Sequence, residues 1–375
     1  MDISLDQLLA VLFAKADINQ IPLAGSFELT SRCTLDCKMC YVHRRECDRS
    51  AIEKEKDTAF WIDLATKAKD AGMLVLLLTG GEPLLRKDFD EIYTACKKLG
   101  MIITVNTNGT LIDENKIRLF KELPPQKLCI TLYGASEETY GNLCGNSSVY
   151  RTVTESIRKL REAGIPIKIN YSITPQNAHE VEAAYEFANK LDLPFQAVSY
   201  MFPPVRVGGK AVRLSAEDAA KAHFRMQKLT LGDSFAEKIS AESVNREHTD
   251  CSDRINCRAG ASTFWVNWQG EMTPCGMMAE PRIPITDFTD AWKQICDETK
   301  KILLPKECLK CEHRRICDMC AAVSLAETGR SDCVPDYACK KAHEYARLCK
   351  DFLNQAKQRQ RRTAVDGGNG LRANN

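Results

Sequence analysis

The chain has 375 residues, 44% of them hydrophobic, which is enough for one large α/β domain and a smaller one. Its 52 basic and 50 acidic side chains leave a formal charge of +2, a balance that argues against a general nucleic-acid binder. We find no secretory signal and no apolar run of roughly eighteen residues, so we expect a cytoplasmic protein with no membrane span. Eighteen cysteines in a reducing compartment indicate metal ligands rather than disulfides.

Short β-rich runs alternate with helical patterns through the first half of the chain. The β-rich runs are 27–31, 73–80, 101–109, 127–134, 165–174 and 195–202. The helical stretches between them are 57–71, 88–99, 113–122, 148–163 and 179–191. Strand and helix repeated in this way predict a parallel sheet covered by helices, with functional residues at the carboxyl ends of the strands.

The rest of the chain divides by composition. We predict a helical lead-in over 1–24, the α/β core over 25–205 and a helical bridge over 206–250, with its helix at about 215–243. A small cysteine-rich α+β domain follows over 251–345, and we expect metal to organise it more than a hydrophobic core does. The last part, 346–375, is predicted to be a helical end and a polar, disordered tail.

Three cysteines follow the first predicted strand in the stretch CTLDCKMC: Cys33, Cys37 and Cys40. Thiolates suit zinc or an iron–sulfur cluster. A structural zinc site completed by His43 or Cys47 is the plain alternative. Against it, the stretch TGGEP follows the second strand, and zinc sites usually pair one C-x2-C with a second pair.

C-x3-C-x2-C after the first strand together with GGEP after the second resembles the radical S-adenosylmethionine (SAM) superfamily. The resemblance implies a partial (β/α)6, TIM-like barrel and a [4Fe–4S] cluster held by Cys33, Cys37 and Cys40. The fourth iron of that cluster would stay open for SAM. The loop of Gly80, Gly81 and Glu82 would then take the SAM amino group, because glycines allow close backbone approach and Glu82 offers a carboxylate.

Further SAM contacts are expected at or just after the ends of later strands, where the family places its ribose and carboxylate contacts. The candidates are Asn106, Asn108, Thr131, Arg151 and Asn170. Arg151 could pair with the SAM carboxylate, although an ordinary solvated arginine at a helix start is the alternative.

The cysteines after residue 250 resemble the SPASM extension, a C-terminal domain of one radical SAM subgroup. That subgroup often holds two auxiliary [4Fe–4S] clusters. By position, the resemblance assigns Cys251, Cys257, Cys275 and Cys320 to the first. It assigns Cys308, Cys311, Cys317 and Cys339 to the second. Cys333 competes with Cys339 for the last position, and Cys320 follows Cys317 after two residues where the family usually has three.

The remaining cysteines are predicted to be ordinary small hydrophobic residues. They are Cys47, Cys96, Cys129, Cys144, Cys296 and Cys349. No dedicated general base stands out. The candidates by place alone are Asp250, Asp253, Asp318, Tyr133 and Tyr200.

The resemblance implies an oxidoreductase that cleaves SAM to a 5′-deoxyadenosyl radical and abstracts hydrogen from a peptide or protein. We expect a ribosomal-peptide maturase that forms a crosslink or an oxidised residue. Its electron donor would be a flavodoxin or ferredoxin. Because Cys33 lies only about thirty residues from the start, any leader peptide would be recognised by a separate partner protein or by the barrel itself. The alternatives are a sulfatase-maturing or heme-pathway enzyme of the same superfamily, or a non-catalytic zinc-binding interaction protein.

Overall fold

A computed structural model describes residues 4–42, 44–204, 212–244, 253–255 and 257–369. The strands are β1 Ala24–Glu28, β2 Arg32–Cys33, β3 Arg44–Arg45, β4 Val75–Thr79, β5 Ile102–Thr107, β6 Lys127–Thr131, β7 Ile167–Ser172, β8 Phe195–Val198, β9 Thr263–Val266, β10 Glu271–Thr273 and β11 Ile283–Pro284.

The helices are α1 Leu5–Asn19, α2 Arg49–Lys54, α3 Thr58–Asp70, α4 Phe89–Lys98, α5 Glu114–Glu122, α6 Glu137–Cys144, α7 Val149–Glu162, α8 Val181–Lys190, α9 Ala216–Leu231, α10 Phe235–Val244, α11 Phe288–Thr299, α12 Lys306–Leu309, α13 Ala321–Thr328 and α14 Asp336–Asn369. None of the helices in the described ranges is long and apolar enough to cross a membrane.

Six parallel strands form the core in the order β1, β4, β5, β6, β7, β8. At least one helix follows each of these strands before the next one begins. Three of the helix starts are capped by side chains: Asp57, Asp113 and Ser136 each accept a hydrogen bond from a backbone N–H of the first turn. The six predicted strands and five intervening helices are therefore present, with somewhat tighter bounds.

One face of the sheet carries the main hydrophobic core. The strand residues Phe27, Leu76, Ile103, Leu128 and Ile169 belong to one buried cluster with the helix residues Trp61, Ile92, Phe120 and Ile157. Since side chains alternate along a strand, the residues between them lie on the opposite, inner face of the curved sheet. That inner face carries many polar side chains, as expected of a wall that lines a ligand site.

The cysteine-rich part of the chain is continuous with the barrel sheet. β9 pairs parallel to β1, with Ala24 opposite Thr263, and β10 and β11 extend the sheet as antiparallel strands. α11 buries Phe288 and Ile295 in the same core as the barrel helices. The extension therefore shares a hydrophobic core with the barrel, which differs from the expected domain held mainly by metal.

Two helical regions differ in detail from their predictions. The predicted helix at 215–243 is broken into α9 and α10 by a short 3-10 turn at Gly232–Ser234. α14 continues to Asn369, through the polar stretch for which composition predicts disorder. Glutamine, lysine, arginine and alanine in that stretch are good helix formers, so polarity alone does not end a helix there.

Candidate active site

The cysteine loop and the glycine loop lie side by side at the carboxyl ends of β1 and β4. Gly81 N–H donates to the Thr30 carbonyl at 2.7 Å and Glu82 N–H donates to the Arg32 carbonyl at 2.8 Å. A Cβ atom on Gly81 would lie 2.3 Å from the Arg32 carbonyl oxygen. Only glycine allows this approach, so the two loops are held in contact by backbone alone.

Cys33, Cys37 and Cys40 all lie on the short loop that follows this contact. The Cys33 sulfur accepts hydrogen bonds from Leu35 N–H and from Asn108 Nδ2, each at 3.4 Å. Burial raises the pKa of the Cys33 thiol to about 12. Three thiols on one loop, one of them already facing two N–H donors, are a donor set suited to an iron–sulfur cluster, whose binding would displace the thiol protons.

Glu82 is fully buried and ties the glycine loop to the end of β5. Its Oε1 accepts from Leu84 N–H at 3.1 Å and Thr107 Oγ1 at 2.8 Å, and its Oε2 accepts from Asn108 N–H at 2.7 Å. Burial raises the pKa of Glu82 to about 7, although these hydrogen bonds favour the carboxylate. The residue therefore has a structural role in addition to the ligand contact expected from sequence.

The backbone beside Glu82 offers acceptors of its own. Within the described part of the chain, the carbonyl groups of Gly80 and Gly81 accept no hydrogen bond. An ammonium group brought to this loop would find these two carbonyls next to the buried carboxylate. The arrangement fits the expected binding of the SAM amino group.

The structure brings most of the other predicted SAM contacts to the same wall. Asn106 lies on the inner face of β5, and Thr131 on β6 stands opposite Asn170 on β7. Asn108 lies closer to the loop, with Nδ2 also donating to Thr34 Oγ1 at 3.1 Å. These residues face the space beside the cysteine loop.

Arg151 does not join them, which corrects its assignment as a SAM contact. Its side chain is 81% exposed and forms an ion pair with Glu137. Arg151 lies in the first turn of α7, and it points to solvent rather than towards the cysteine loop. The ordinary solvated arginine is the better interpretation.

Two residues lie against the cysteine loop although the sequence did not assign either of them to it. Cys144 is buried at the end of α6, where its thiol lies next to Cys37 and raises the pKa of the Cys37 thiol. Tyr133 is half-buried among the loop cysteines, close enough to Cys37 to affect the pKa of its thiol. A lone cysteine 107 positions after Cys37 carries no sequence signal for this contact, because it depends on how α6 packs.

The backbone around Cys144 holds this contact in place. Asp36 N–H donates to the Cys144 carbonyl at 3.2 Å, and Lys38 N–H donates to the Leu143 carbonyl at 3.0 Å. The end of α6 therefore binds the cysteine loop on both sides of Cys37. Cys144 is not the ordinary hydrophobic residue that the sequence predicted.

In the extension, three of the four cysteines assigned to the first auxiliary cluster come together. Cys257 and Cys320 both lie close enough to Cys275 to raise its pKa electrostatically, after the larger effect of burial, which brings that pKa to about 11. Cys320 is also near Cys257. Cys251, the fourth assigned residue, lies outside the described residues.

The four cysteines assigned to the second auxiliary cluster line one cavity. They are Cys308, Cys311, Cys317 and Cys339. Cys333 is not among the lining residues, and its thiol instead contacts Asp332. The cavity therefore favours Cys339 over Cys333 as the last thiol of this group.

These thiols are not grouped as they would be around one ion. In the described ranges, no three His, Cys, Asp or Glu side chains are close enough to hold a single metal ion.

The candidate general bases gain no support from their positions. Asp318 forms an ion pair with Lys341, and the Tyr200 hydroxyl donates to Glu327 at 2.6 Å. Asp253 is 39% exposed beside Arg254, and Asp250 lies outside the described residues. Tyr133 is the one of the five that lies at the cysteine loop.

The chain is similar to known proteins over both its barrel and its extension. A model of the radical SAM superfamily matches residues 27–188. The AdoMet-dependent heme synthase of Methanosarcina barkeri is 27% identical over 335 residues, which cover 82% of this chain and 93% of that protein. The sporulation killing factor maturation protein SkfB of Bacillus subtilis is 26% identical over 68% of this chain and 60% of its own length.

The fold has a solved counterpart. The crystal structure of Streptococcus suis SuiB bound to S-adenosylmethionine superposes with a TM-score of 0.66 and 18% identity, covering 90% of this chain and 83% of SuiB. The expected barrel architecture is thereby confirmed, and the non-catalytic zinc protein is excluded in favour of an enzyme. Residues 27–188 match the radical SAM superfamily, and the structural likeness to SuiB, which covers 90% of this chain, extends beyond that match into the cysteine-rich part.

Proposed function

We propose that this enzyme modifies a peptide or protein substrate, as a maturase of a ribosomally made peptide that forms a crosslink or an oxidised residue. The contact between the cysteine loop and the glycine loop carries the proposal, because it sets three thiols beside an open inner wall. The similarity to SkfB, a sporulation killing factor maturation protein, supports a peptide as the substrate.

Cys33, Cys37 and Cys40 hold the cluster, and Gly80, Gly81 and Glu82 orient the SAM amino group. When bound, a [4Fe–4S] cluster and SAM supply a 5′-deoxyadenosyl radical that takes a hydrogen atom from the substrate. Asn106, Thr131 and Asn170 line the wall on which SAM and substrate lie.

The extension holds two auxiliary [4Fe–4S] clusters. Cys251, Cys257, Cys275 and Cys320 bind the first, and Cys308, Cys311, Cys317 and Cys339 bind the second. Their role is electron transfer, with a flavodoxin or ferredoxin as the external donor. A separate leader-peptide-binding protein presents the substrate.

A tetrapyrrole is the second candidate substrate. The similarity to the Methanosarcina heme synthase extends over 93% of that protein, against 60% of SkfB. A full-length relationship of this kind favours a shared reaction type, although 27% identity leaves the substrate pocket free to differ.

Anaerobic reconstitution with iron and sulfide tests the proposal. We expect about twelve irons per chain by Mössbauer and visible spectroscopy, four for each cubane cluster. Dithionite should support 5′-deoxyadenosine formation, and the triple change of Cys33, Cys37 and Cys40 to alanine should abolish it. Incubation with candidate precursor peptides or with coproporphyrin then identifies the substrate class.

Cys47→Ala is the matched control for the triple variant. Cys47 is exposed and lies seven positions after Cys40. The Cys47→Ala variant should keep both its iron content and its SAM cleavage activity. SAM cleavage retained by the triple variant would refute the assignment of the cysteine loop.

A further inference from the structure

Two lysines lie on the inner wall of the barrel, below the positions assigned to SAM. On β6, Leu128 and Ile130 face the helices, so Lys127 and Cys129 face inward. On β7, Ile167 and Ile169 face the helices and Lys168 faces inward. Cys129 stands directly opposite Lys168 in the strand register.

The ammonium groups of Lys127 and Lys168 both influence the Cys129 thiol. Burial raises the pKa of the Cys129 thiol, and the positive charges of Lys168 and then Lys127 partly offset that rise. Both lysines are therefore within electrostatic reach of one buried thiol. The inner wall has a positive region around Cys129.

These charges are not neutralised by the protein. Across the described residues, neither Lys127 nor Lys168 has an acidic side chain within ion-pair distance, and Lys168 Nζ donates to the neutral amide oxygen of Gln196. The inward carboxylate of Glu28, on β1, accepts the indole N–H of Trp265 at 2.8 Å instead. A half-buried cation without a counterion is a site that attracts an anion.

The positive region is open to a ligand from one side. β8 is an edge strand of the sheet, so the barrel is not closed there. Gln196 and Val198 on this edge are exposed, and Val198 is 43% exposed. A molecule can therefore reach Lys168 past the β8 edge.

We propose that Lys127 and Lys168 bind a carboxylate of the substrate inside the barrel. The inference rests on the proposed function, and it names the chemistry that the substrate must carry. Lys168 lies two residues before Asn170 on the same face, roughly 7 Å further from the cysteine loop. The substrate carboxylate is thus anchored one layer below SAM, with the Gln196 amide as a third contact.

Two substrate sources offer this chemistry: the acidic side chain of a peptide and the propionate of a tetrapyrrole. The probes are a short peptide with two glutamates and coproporphyrin III. Their neutral counterparts are the same peptide with glutamines and the tetra-amide of the same ring. Dissociation constants are measured by calorimetry and by absorbance, with the reconstituted enzyme and SAM present.

We expect the enzyme to bind one acidic probe at least about tenfold more tightly than its neutral counterpart, a difference of about 1.4 kcal/mol. Lys168→Met and the double change with Lys127→Met should remove that preference, and Lys168→Arg should keep most of it. Lys190→Met is the control, because Lys190 is an exposed lysine on α8. The acidic probe that binds more weakly to the Lys168→Met and double variants than to the unchanged enzyme identifies the source of the carboxylate.

Three results would overturn the proposal: equal affinity for the acidic and neutral probes, unchanged affinity in the double variant, or no binding of either acidic probe. Thermal unfolding of each variant shows that the fold is retained. SAM cleavage without substrate is measured on the same samples. If the unchanged enzyme does not cleave SAM, the proposed function fails, while the result for the lysines is read from binding alone.

Discussion

The Cys144 thiol lies next to the Cys37 thiol, although 107 positions separate them in the chain. The neighbouring Cys144 thiol and then burial raise the pKa of the Cys37 thiol well above its usual range. With Cys37 as a thiolate ligand, the Cys144 S–H would be a hydrogen-bond donor to its sulfur. Hydrogen bonds to ligand sulfur are one of the ways in which a protein tunes the potential of a cluster.

Cys144→Ala should therefore lower the reduction potential of the SAM cluster while leaving its iron bound, because the three ligands on the loop stay in place. Redox titration followed by electron paramagnetic resonance measures the potential. Cys144→Ser should restore part of it. Cys96→Ala removes an equally buried thiol on α4 and should leave the potential unchanged. An unchanged potential in Cys144→Ala would show that the contact has only a packing role.

Gly81→Ala should destabilise the site. The new Cβ would lie 2.3 Å from the Arg32 carbonyl oxygen, so the two loops must separate. We expect a loss of about 1–3 kcal/mol in the free energy of unfolding, the usual range for overpacking, and weaker SAM binding. Chemical denaturation and SAM titration measure the two effects.

Gly141→Ala on α6 is the control, since its added Cβ meets Ser147 at an ordinary 3.4 Å. That variant should be neutral or slightly more stable, because alanine favours a helix. Equal unfolding free energies for both variants would mean that the close approach at Gly81 relaxes at no cost.

Cys339→Ser should lower the iron content by about four per chain, the content of one cubane cluster. Cys333→Ser should leave it unchanged, since only Cys339 lines the cavity with Cys308, Cys311 and Cys317. Iron analysis of the purified, reconstituted variants measures the difference. The opposite outcome, with iron lost only on changing Cys333, would reverse the assignment.

His223 should make the packing of α9 on α14 sensitive to acid. Burial and then the positive charge of Lys341 lower its pKa to about 4. The group takes up a proton more readily when unfolded, so its contribution is complete above pH 6.5 and is lost as pH falls towards 4. The free energy of unfolding should fall by at most about 3 kcal/mol over this window.

His223→Gln should reduce that pH dependence. Urea unfolding at several pH values between 7.5 and 5 compares the variant with the unchanged protein, so that acid effects on the clusters cancel. His179→Gln serves as the control because His179 is 70% exposed. A difference between variant and unchanged protein that is constant across this range would contradict the prediction.

The cysteine loop is a feature that the local sequence pattern was enough to predict. Cys33, Cys37 and Cys40 lie within eight positions, so one loop is enough to bring them together. The role of the glycines in TGGEP is also a local prediction, because close backbone approach requires residues without a side chain. The six strands and their helices follow from hydrophobic periodicity, which each segment carries in its own sequence.

The sequence left the orientation of Arg151 open between two alternatives, and it did not predict the role of Cys144. Both depend on the rotation and packing of α6 and α7, which no single segment fixes. Lys127 and Lys168 are an intermediate case. Lysines in strands with alternating apolar residues predict an inner polar face, but only the strand register places them around one point.

The sequence by itself determined the parallel α/β core, the cysteine loop, the glycine loop and which cysteines belong to the extension, because these features are encoded in short spacings and periodic patterns. The tertiary structure decided that β9 joins the barrel sheet at β1, that Cys339 rather than Cys333 lines the cavity, and that two lysines face inward without acidic partners among the described residues. Contacts between distant segments depend on register, helix packing and burial, and these are set only when the whole core assembles.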